Sequence, residues 1–289
     1  MAETGVEAAA QVEEGHLVTD DGVRLVWRWD RPSEPRATVV VAHGFAEYLT
    51  RHKHDTAAMV EAGFEVLRYD MRGHGNSGGR RGHVDAFDDY LGDLRRMLAL
   101  AHERGVGPVA LLAHSQGGLI ATKALLDGQL PVCAVVLSNP ALVTKAAVPE
   151  WKKAAAKVLS RLLPTFSLPT GLPASAISRD SESVRDYEQD PLIFGTGSAR
   201  WGWEFMSAQR QVQRRTLRIE VPLLVQLGSS DGIIDPEFSR TWFADAQGDD
   251  VTITMWPDFY HELYNEPEAE RAQVLAELVS WLTDHTQVA

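Results

Sequence analysis

Apolar residues in this chain fall into short runs separated by stretches with helical spacing. Ala37 to Ala42, Phe64 to Tyr69, Val109 to Ala113, Cys133 to Leu137, Pro222 to Leu227 and Val251 to Trp256 read as strands. Nearly unbroken apolar runs suit strands buried on both faces. Between them, the spacing predicts helices from about His54 to Ala62, from near Asp85 onward and from Gln116 through Leu125, with a closing helix over Ala269 to Thr283. The second of these carries Phe87, Tyr90, Leu91, Leu94, Met97 and Leu98 on one side. Ahead of them, His16 to Arg31 alternates around Asp20-Asp21-Gly22, with Leu25, Trp27 and Trp29 sharing a face, which predicts an antiparallel hairpin. Strand and helix then alternate, which predicts an α/β fold: a mostly parallel sheet with helices on both faces and right-handed crossovers.

The rhythm breaks between Asn139 and Glu220, where no clear strand is legible. This stretch holds a helical segment from Trp151 to Leu163, prolines Pro164, Pro169 and Pro173, and an apolar group of Trp201, Trp203, Phe205 and Met206. An insertion of that length is too long for a plain loop and is expected to fold as a small helical cap over residues 140–220. A single aromatic in such a subdomain is more often core than ligand wall. The α/β core is then expected over 16–139 and 221–289, with 1–15 a disordered N-terminal tail.

Composition narrows the setting. In the 289 residues, 44% hydrophobic and 24% charged content is ordinary for a globular chain. No apolar run is long enough to span a bilayer. The formal net charge of -12 repels phosphate backbones, so nucleic acid is not an expected partner. Cys133 is the single cysteine and cannot form an internal disulfide; its apolar neighbours suggest a buried strand position. Met1 to Gly15 lacks the basic start and apolar middle of a secretory signal, and a cytoplasmic location is expected. His74, His83 and His114 have no metal-ligand spacing, so neither a metal nor another cofactor is expected.

The chemistry centres on Val109 to Leu119, where a strand runs into a helix with Ser115 at the corner. A sharp turn there forces strained angles on the serine and needs small residues two before and two after, supplied by Ala113 and Gly117. The hydroxyl then projects clear of the backbone beside the NH groups of a helix start, as a nucleophile requires. An incidental serine in a Gly-Gly turn is the competing reading, so partners must be found. Catalytic groups in open α/β sheets gather beyond the carboxyl ends of the strands. Asp231 follows the strand ending at Leu227, with Asp235 as its competitor, and His261 follows the strand ending at Trp256. The order Ser115, Asp231, His261 is that of a nucleophile-elbow hydrolase. An imidazole takes the serine proton and later returns it, and a carboxylate holds the imidazole in the right tautomer. The oxyanion hole falls to the main-chain NH groups of Gln116 and of Phe45 in the loop His43-Gly44-Phe45-Ala46. His43 itself is expected to make a structural hydrogen bond.

With these residues in view, the chain resembles the α/β-hydrolase superfamily, and within it the monoacylglycerol lipase and lysophospholipase group. The likeness rests on His43-Gly44-Phe45, the loop Asp70 to Val84, the elbow His114 to Gly118, and Tyr260 to Glu266. Ile177 to Asp180 and Asp190 to Leu192 in the cap also look like bacterial members. Two positions depart from the group: Ala113 stands where glycine is usual and Gln116 where methionine is usual. The resemblance implies an eight-stranded sheet and hydrolysis of a single-acyl glycerol ester through an acyl-serine intermediate. The expected partner is a small lipid ester, with Leu159, Leu162, Leu163, Phe166 and Trp203 lining an acyl channel and the apolar cap touching membranes or micelles transiently. Lysophospholipase, short-chain esterase and thioesterase activities are the near alternatives. An aminopeptidase would need cap carboxylates such as Glu182, Glu188 and Glu204 to hold an amine. Epoxide hydrolases and haloalkane dehalogenases are disfavoured because their elbow carries an aspartate. A non-catalytic ligand receptor on the same scaffold is the alternative of another class.

Overall fold

The computed structural model of the chain describes residues 11–128, 130–145 and 150–287. Strands β1 (Gln11–Val18) and β2 (Arg24–Arg31) form the hairpin, with Gln11 opposite Arg31 and Val18 opposite Arg24. The expected loose tail is therefore corrected over residues 11–15. Their backbone pairs with β2, and the exposed alternation of β1 suits an edge strand; residues 1–10 lie outside the described residues. Then come β3 (Ala37–Ala42), α1 (Lys53–Glu61), β4 (Phe64–Tyr69), α2 (Phe87–Arg104), β5 (Val109–His114), α3 (Gln116–Asp127) and β6 (Ala134–Ser138). The cap segment follows with α4 (Glu150–Leu162), β7 (Ser167–Pro169), α5 (Ser181–Gln189), β8 (Thr196–Ser198) and α6 (Ala199–Gln213). The chain then returns to the core as β9 (Leu223–Gly228), α7 (Pro236–Ala244), β10 (Val251–Trp256) and α8 (Glu268–His285).

The core strands form one eight-stranded sheet in the order β1-β2-β4-β3-β5-β6-β9-β10. It is antiparallel from β1 through β2 to β4 and parallel across the rest. The central strand β5 shows why its sequence is apolar throughout. Val109, Leu111 and Ala113 pack in the cluster that includes residues of α2 and α3, while Ala110 and Leu112 pack in the other cluster with residues of α1 and α8. A period of two sends neighbours to opposite faces, and both faces are covered. Cys133 departs from expectation: it lies one residue ahead of β6 and is half-buried, although its NH donates to the Val109 carbonyl at 2.8 Å.

The cap lies between β6 and β9. The absence of strands expected there is corrected by the two-stranded antiparallel ribbon of β7 and β8. Three-residue strands leave too short an alternation to be read from sequence. The ribbon is tied to the core through the Gly-rich loop, since the Ser198 NH donates to the Gly82 carbonyl at 2.8 Å and the Ser198 hydroxyl meets His83 Nδ1 at 2.8 Å.

Candidate active site

Ser115 sits at φ 51° and ψ -114°, a left-handed conformation uncommon for a side chain larger than glycine. The reason is steric. A Cβ on Gly117 would lie 2.3 Å from the Ala42 carbonyl oxygen, and one on Gly118 would lie 2.7 Å from Pro140 Cβ. The helix start is thus pressed against the ends of β3 and β6, and the chain must turn at once. Ala113, the departure from the usual glycine, is fully buried and faces Ala42 across the β3–β5 pairing and Leu137 across the β5–β6 pairing.

The structure brings the three side chains together. His261 Nε2 lies 2.9 Å from Ser115 Oγ, and His261 Nδ1 donates to Asp231 Oδ2 at 2.6 Å. The other Asp231 oxygen accepts from the NH groups of Ile233 at 2.7 Å and Ile234 at 3.0 Å, so both carboxylate oxygens are engaged. Asp235 serves elsewhere, accepting from the Phe238 NH at 3.1 Å as the N-cap of α7. Burial disfavours a charged His261, but the Asp231 carboxylate, by charge and hydrogen bond, outweighs it, and Glu262 and Glu47 add to the effect. The imidazole is left above its ordinary value. His114, whose ring lies 4.9 Å from that of His261, goes the other way, driven well down by burial and by the neighbouring histidines.

The loop after β3 is equally close. A Cβ on Gly44 would come within 3.0 Å of Ser115 Cβ, and the Gly44 NH donates to the Glu47 carboxylate. Burial lifts the Glu47 carboxyl to about 7. Ala46, at φ 65°, completes the tight turn that carries Phe45. Gln116 opens α3, where the first NH groups have no intrahelical acceptor. His43 is structural, accepting from the Met71 NH at 2.9 Å through Nε2 and donating to the Gly44 carbonyl at 2.7 Å through Nδ1. The Gln116 side chain is fully buried and its polarity is consumed internally: Oε1 accepts from Trp201 Nε1 at 2.9 Å and Nε2 lies 3.9 Å from Met71 Sδ.

Sequence reasoning passed over Asn139. At φ 40° it follows β6, donates through Nδ2 to the carbonyls of Tyr260 at 3.1 Å and His261 at 2.7 Å, and accepts from the Gly228 NH at 2.9 Å. It thereby ties the His261 loop to the end of β9. An asparagine in a Ser-Asn-Pro turn at a strand end is the one signal the sequence carries for it. The cap helps as well. Ile177 accepts from the Glu262 NH at 2.7 Å, the Ser178 hydroxyl donates to the Asn265 carbonyl at 2.7 Å, and Arg179 Nε pairs with Glu266 at 2.9 Å. Two motifs distant in the chain therefore lock together behind the histidine.

Of the expected acyl-channel residues, Leu162 is 73% exposed, Leu163 54% and Phe166 50%, while Leu159 and Trp203 are half-buried. Trp203 is flanked by Lys157 Nζ at 5.8 Å and Arg210 Cζ at 5.0 Å from its ring centroid. Helical phase explains it: on α6, Trp201 and Phe205 lie one turn apart and stack at 5.2 Å, whereas Trp203 faces the other way. Trp201 is the aromatic at the site, stacked on Phe45 with centroids 3.8 Å apart. A cavity of ≈ 220 Å³ beside Phe45 is lined by Ala46, Thr170, Leu172, Tyr187, Asp190 and Phe194, among others. Of the carboxylates an aminopeptidase would use, Glu182 is exposed on α5, Glu188 is exposed there and lines the cavity with Asp190, and Glu204 accepts from the Phe87 NH at 3.2 Å and pairs with Arg200 at 3.3 Å. Among the described residues no group of histidine, cysteine or carboxylate side chains is arranged to hold a metal ion.

This geometry has known counterparts. The family model described as serine aminopeptidase, S33, matches residues 33–268. A monoacylglycerol lipase from Mycolicibacterium smegmatis is 35% identical over 269 residues, 91% of this chain and 94% of the relative. The monoglyceride lipase of Homo sapiens is 30% identical over 95% of this chain and 91% of its own length. The chain belongs to this α/β-hydrolase family, in the group that holds these lipases. A crystal structure of Paleococcus ferrophilus monoacylglycerol lipase superposes with a TM-score of 0.80 at 29% identity, covering 95% of this chain and 99% of that one. The family is one of serine hydrolases, and this member is a serine carboxylic-ester hydrolase.

Proposed function

We propose that the enzyme hydrolyses monoacylglycerol to a fatty acid and glycerol, with Ser115 as nucleophile, His261 as general base and acid, and Asp231 as the group that orients it. The observation that carries this reading is the 2.9 Å contact of His261 Nε2 with Ser115 Oγ in a ring already held by Asp231 at 2.6 Å. A neutral serine hydroxyl is a weak nucleophile until a positioned base takes its proton. As Ser115 Oγ adds to the ester carbonyl carbon, its proton passes to His261 Nε2, and the carbonyl oxygen gains negative charge. The NH groups of Phe45 and Gln116 are the donors that meet it. Collapse breaks the carbon–oxygen ester bond, and the Nε2 proton goes to the departing glycerol oxygen. A water then repeats the sequence on the acyl-serine, losing its proton to His261, and releases the fatty acid with Ser115 restored.

The choice of substrate is supported by the similarity to lipases named for monoacylglycerol and by the cavity beside Phe45. Its lining mixes Leu172 and Phe194 with hydroxyl and carboxylate groups of Thr170, Tyr187 and Asp190, which suits an ester apolar at one end and hydroxylated at the other. The exposed strip of Val158, Leu162, Leu163, Phe166, Leu168 and Leu172 supports the further reading that the cap touches lipid surfaces. Among the described residues no helix is long and apolar enough to cross a membrane, so this contact would be peripheral. The test is glycerol release from monoacylglycerol measured beside a lysophospholipid, an acyl thioester and an aminoacyl amide, with fluorophosphonate labelling of Ser115 as the control. Monoacylglycerol is expected to be turned over fastest and the label to vanish in Ser115→Ala. Preference for another of the four would reassign the substrate, and an unlabelled wild type would overturn the serine mechanism.

A further inference from the structure

The indole of Trp201, in the first turn of α6, makes two contacts that converge on one place. Its Nε1 donates to Gln116 Oε1 at 2.9 Å, and its ring stacks on Phe45 with centroids 3.8 Å apart and planes 25° from parallel. Phe45 and Gln116 are the residues whose main-chain NH groups form the oxyanion hole in the reading above, and they arrive from the loop after β3 and the start of α3. One cap side chain therefore braces both donors. Trp201 is itself held, since Phe205 stacks behind it at 5.2 Å and its own NH donates to the Ser198 hydroxyl at 3.0 Å.

We propose that Trp201 is a positioning residue for the oxyanion hole, so that this donor pair is completed by the cap and not by the α/β core alone. The inference rests on the assignment of Ser115 and the two NH donors. Its physical basis is that donors stabilise a developing charge only where they are already in place. The Phe45 donor sits on a turn whose next residue, Ala46, is at φ 65°, and Phe194 and His74 meet the Phe45 ring only edge-on, at 5.4 Å and 5.5 Å. The Gln116 amide is fully buried, with the Met71 thioether and the Tyr90 hydroxyl as its other partners. Without the indole NH its carbonyl loses its 2.9 Å donor, and the side chain has a reason to re-orient at the first residue of α3. The arrangement also accounts for glutamine at this position: its acceptor matches the indole donor, which a methionine does not do well.

The experiment compares wild type, Trp201→Phe, Gln116→Met and the double variant. The readouts are kcat and KM on a soluble short-chain ester, the rate of Ser115 labelling by a fluorophosphonate, and inhibition by a trifluoromethyl ketone, which forms a tetrahedral adduct at serine. Phenylalanine keeps a ring over Phe45 but has no NH to donate, and methionine fills the glutamine site without a comparable acceptor. Each single variant is expected to lower kcat and the labelling rate by roughly 10-fold with KM within about 2-fold, and to weaken the ketone in proportion; this is a smaller loss than deleting an oxyanion donor outright. The double variant is expected to be no worse than either single one, because both remove the same hydrogen bond. Wild-type kcat in Trp201→Phe, a change confined to KM or chain-length preference, or additive losses in the double variant would overturn the proposal. Trp201 would then be only a wall of the acyl site. A wild type that takes no label would instead remove the Ser115 assignment, and this inference with it; a labelled wild type with an unaffected Trp201→Phe removes the inference alone.

Discussion

At the rim of the sheet, Asp231 is fully buried, both its carboxylate oxygens are engaged and the histidine it orients is braced by Asn139 from the end of β6. On the outer cap, the stretch from Val158 to Leu172 turns leucines and a phenylalanine to the outside, with Leu162 at 73% exposure. The two regions solve different problems. A proton relay needs groups that cannot wander, so it is built where strands end and hydrogen bonds close on one another. A surface that meets an aggregated lipid gains by keeping apolar area uncommitted until the lipid arrives. Rim variants should therefore damage chemistry on any substrate, and outer-cap variants should damage only delivery.

The sharpest contrast is expected from Ser115→Ala, which should lower kcat by about 10⁶-fold while leaving far-UV circular dichroism unchanged. Asp231→Asn follows, with a loss of roughly 10⁴-fold, whereas Asp235→Asn should stay within about 3-fold because that residue caps α7 and does not touch His261. A swap of those two outcomes in steady-state assays would reassign the acid. The pH profile carries the same information. In the proposed mechanism turnover needs neutral His261, and Asp231 raises the imidazole's value, so activity should fall as pH drops through that raised value. In Asp231→Asn the carboxylate is gone and burial remains, so the acid limb of the residual activity should move to lower pH. A limb that stays in place would mean that another group sets it.

Asn139→Ala should give an intermediate result, about 10- to 100-fold in kcat, since it removes hydrogen bonds that hold the His261 loop without touching the relay itself. The smallest effect is expected from Leu162→Glu combined with Phe166→Glu. Turnover of a dispersed short ester should change by less than about 2-fold, while co-sedimentation with phospholipid vesicles falls. A loss on the dispersed ester would bring these residues back to the active site and dissolve the contrast between rim and cap.

Much of the core is legible in the sequence. Strands Ala37–Ala42, Phe64–Tyr69 and Val251–Trp256 can be read to the residue, because an apolar run bounded by turn residues leaves little freedom. Ser115, Asp231 and His261 can be nominated because each follows such a run, and the sheet brings the carboxyl ends of parallel strands to one rim. The cap is another matter. Its ribbon of β7 and β8 is too short to show a period, and its aromatics lie on a helix whose phase is set by what α3 and the oxyanion loop present to it. Trp203 is the natural choice from composition, and Trp201 occupies the site.

Local pattern thus determined which segments become strands and where the reactive groups leave the sheet, since burial of alternating faces is a property of neighbours in the chain. Tertiary structure alone decided that Asn139 and the Ile177 to Asp180 turn steady the imidazole, and which indole covers the elbow. Those choices depend on contacts between residues far apart in sequence, and a helix rotated by a single position would have made them differently.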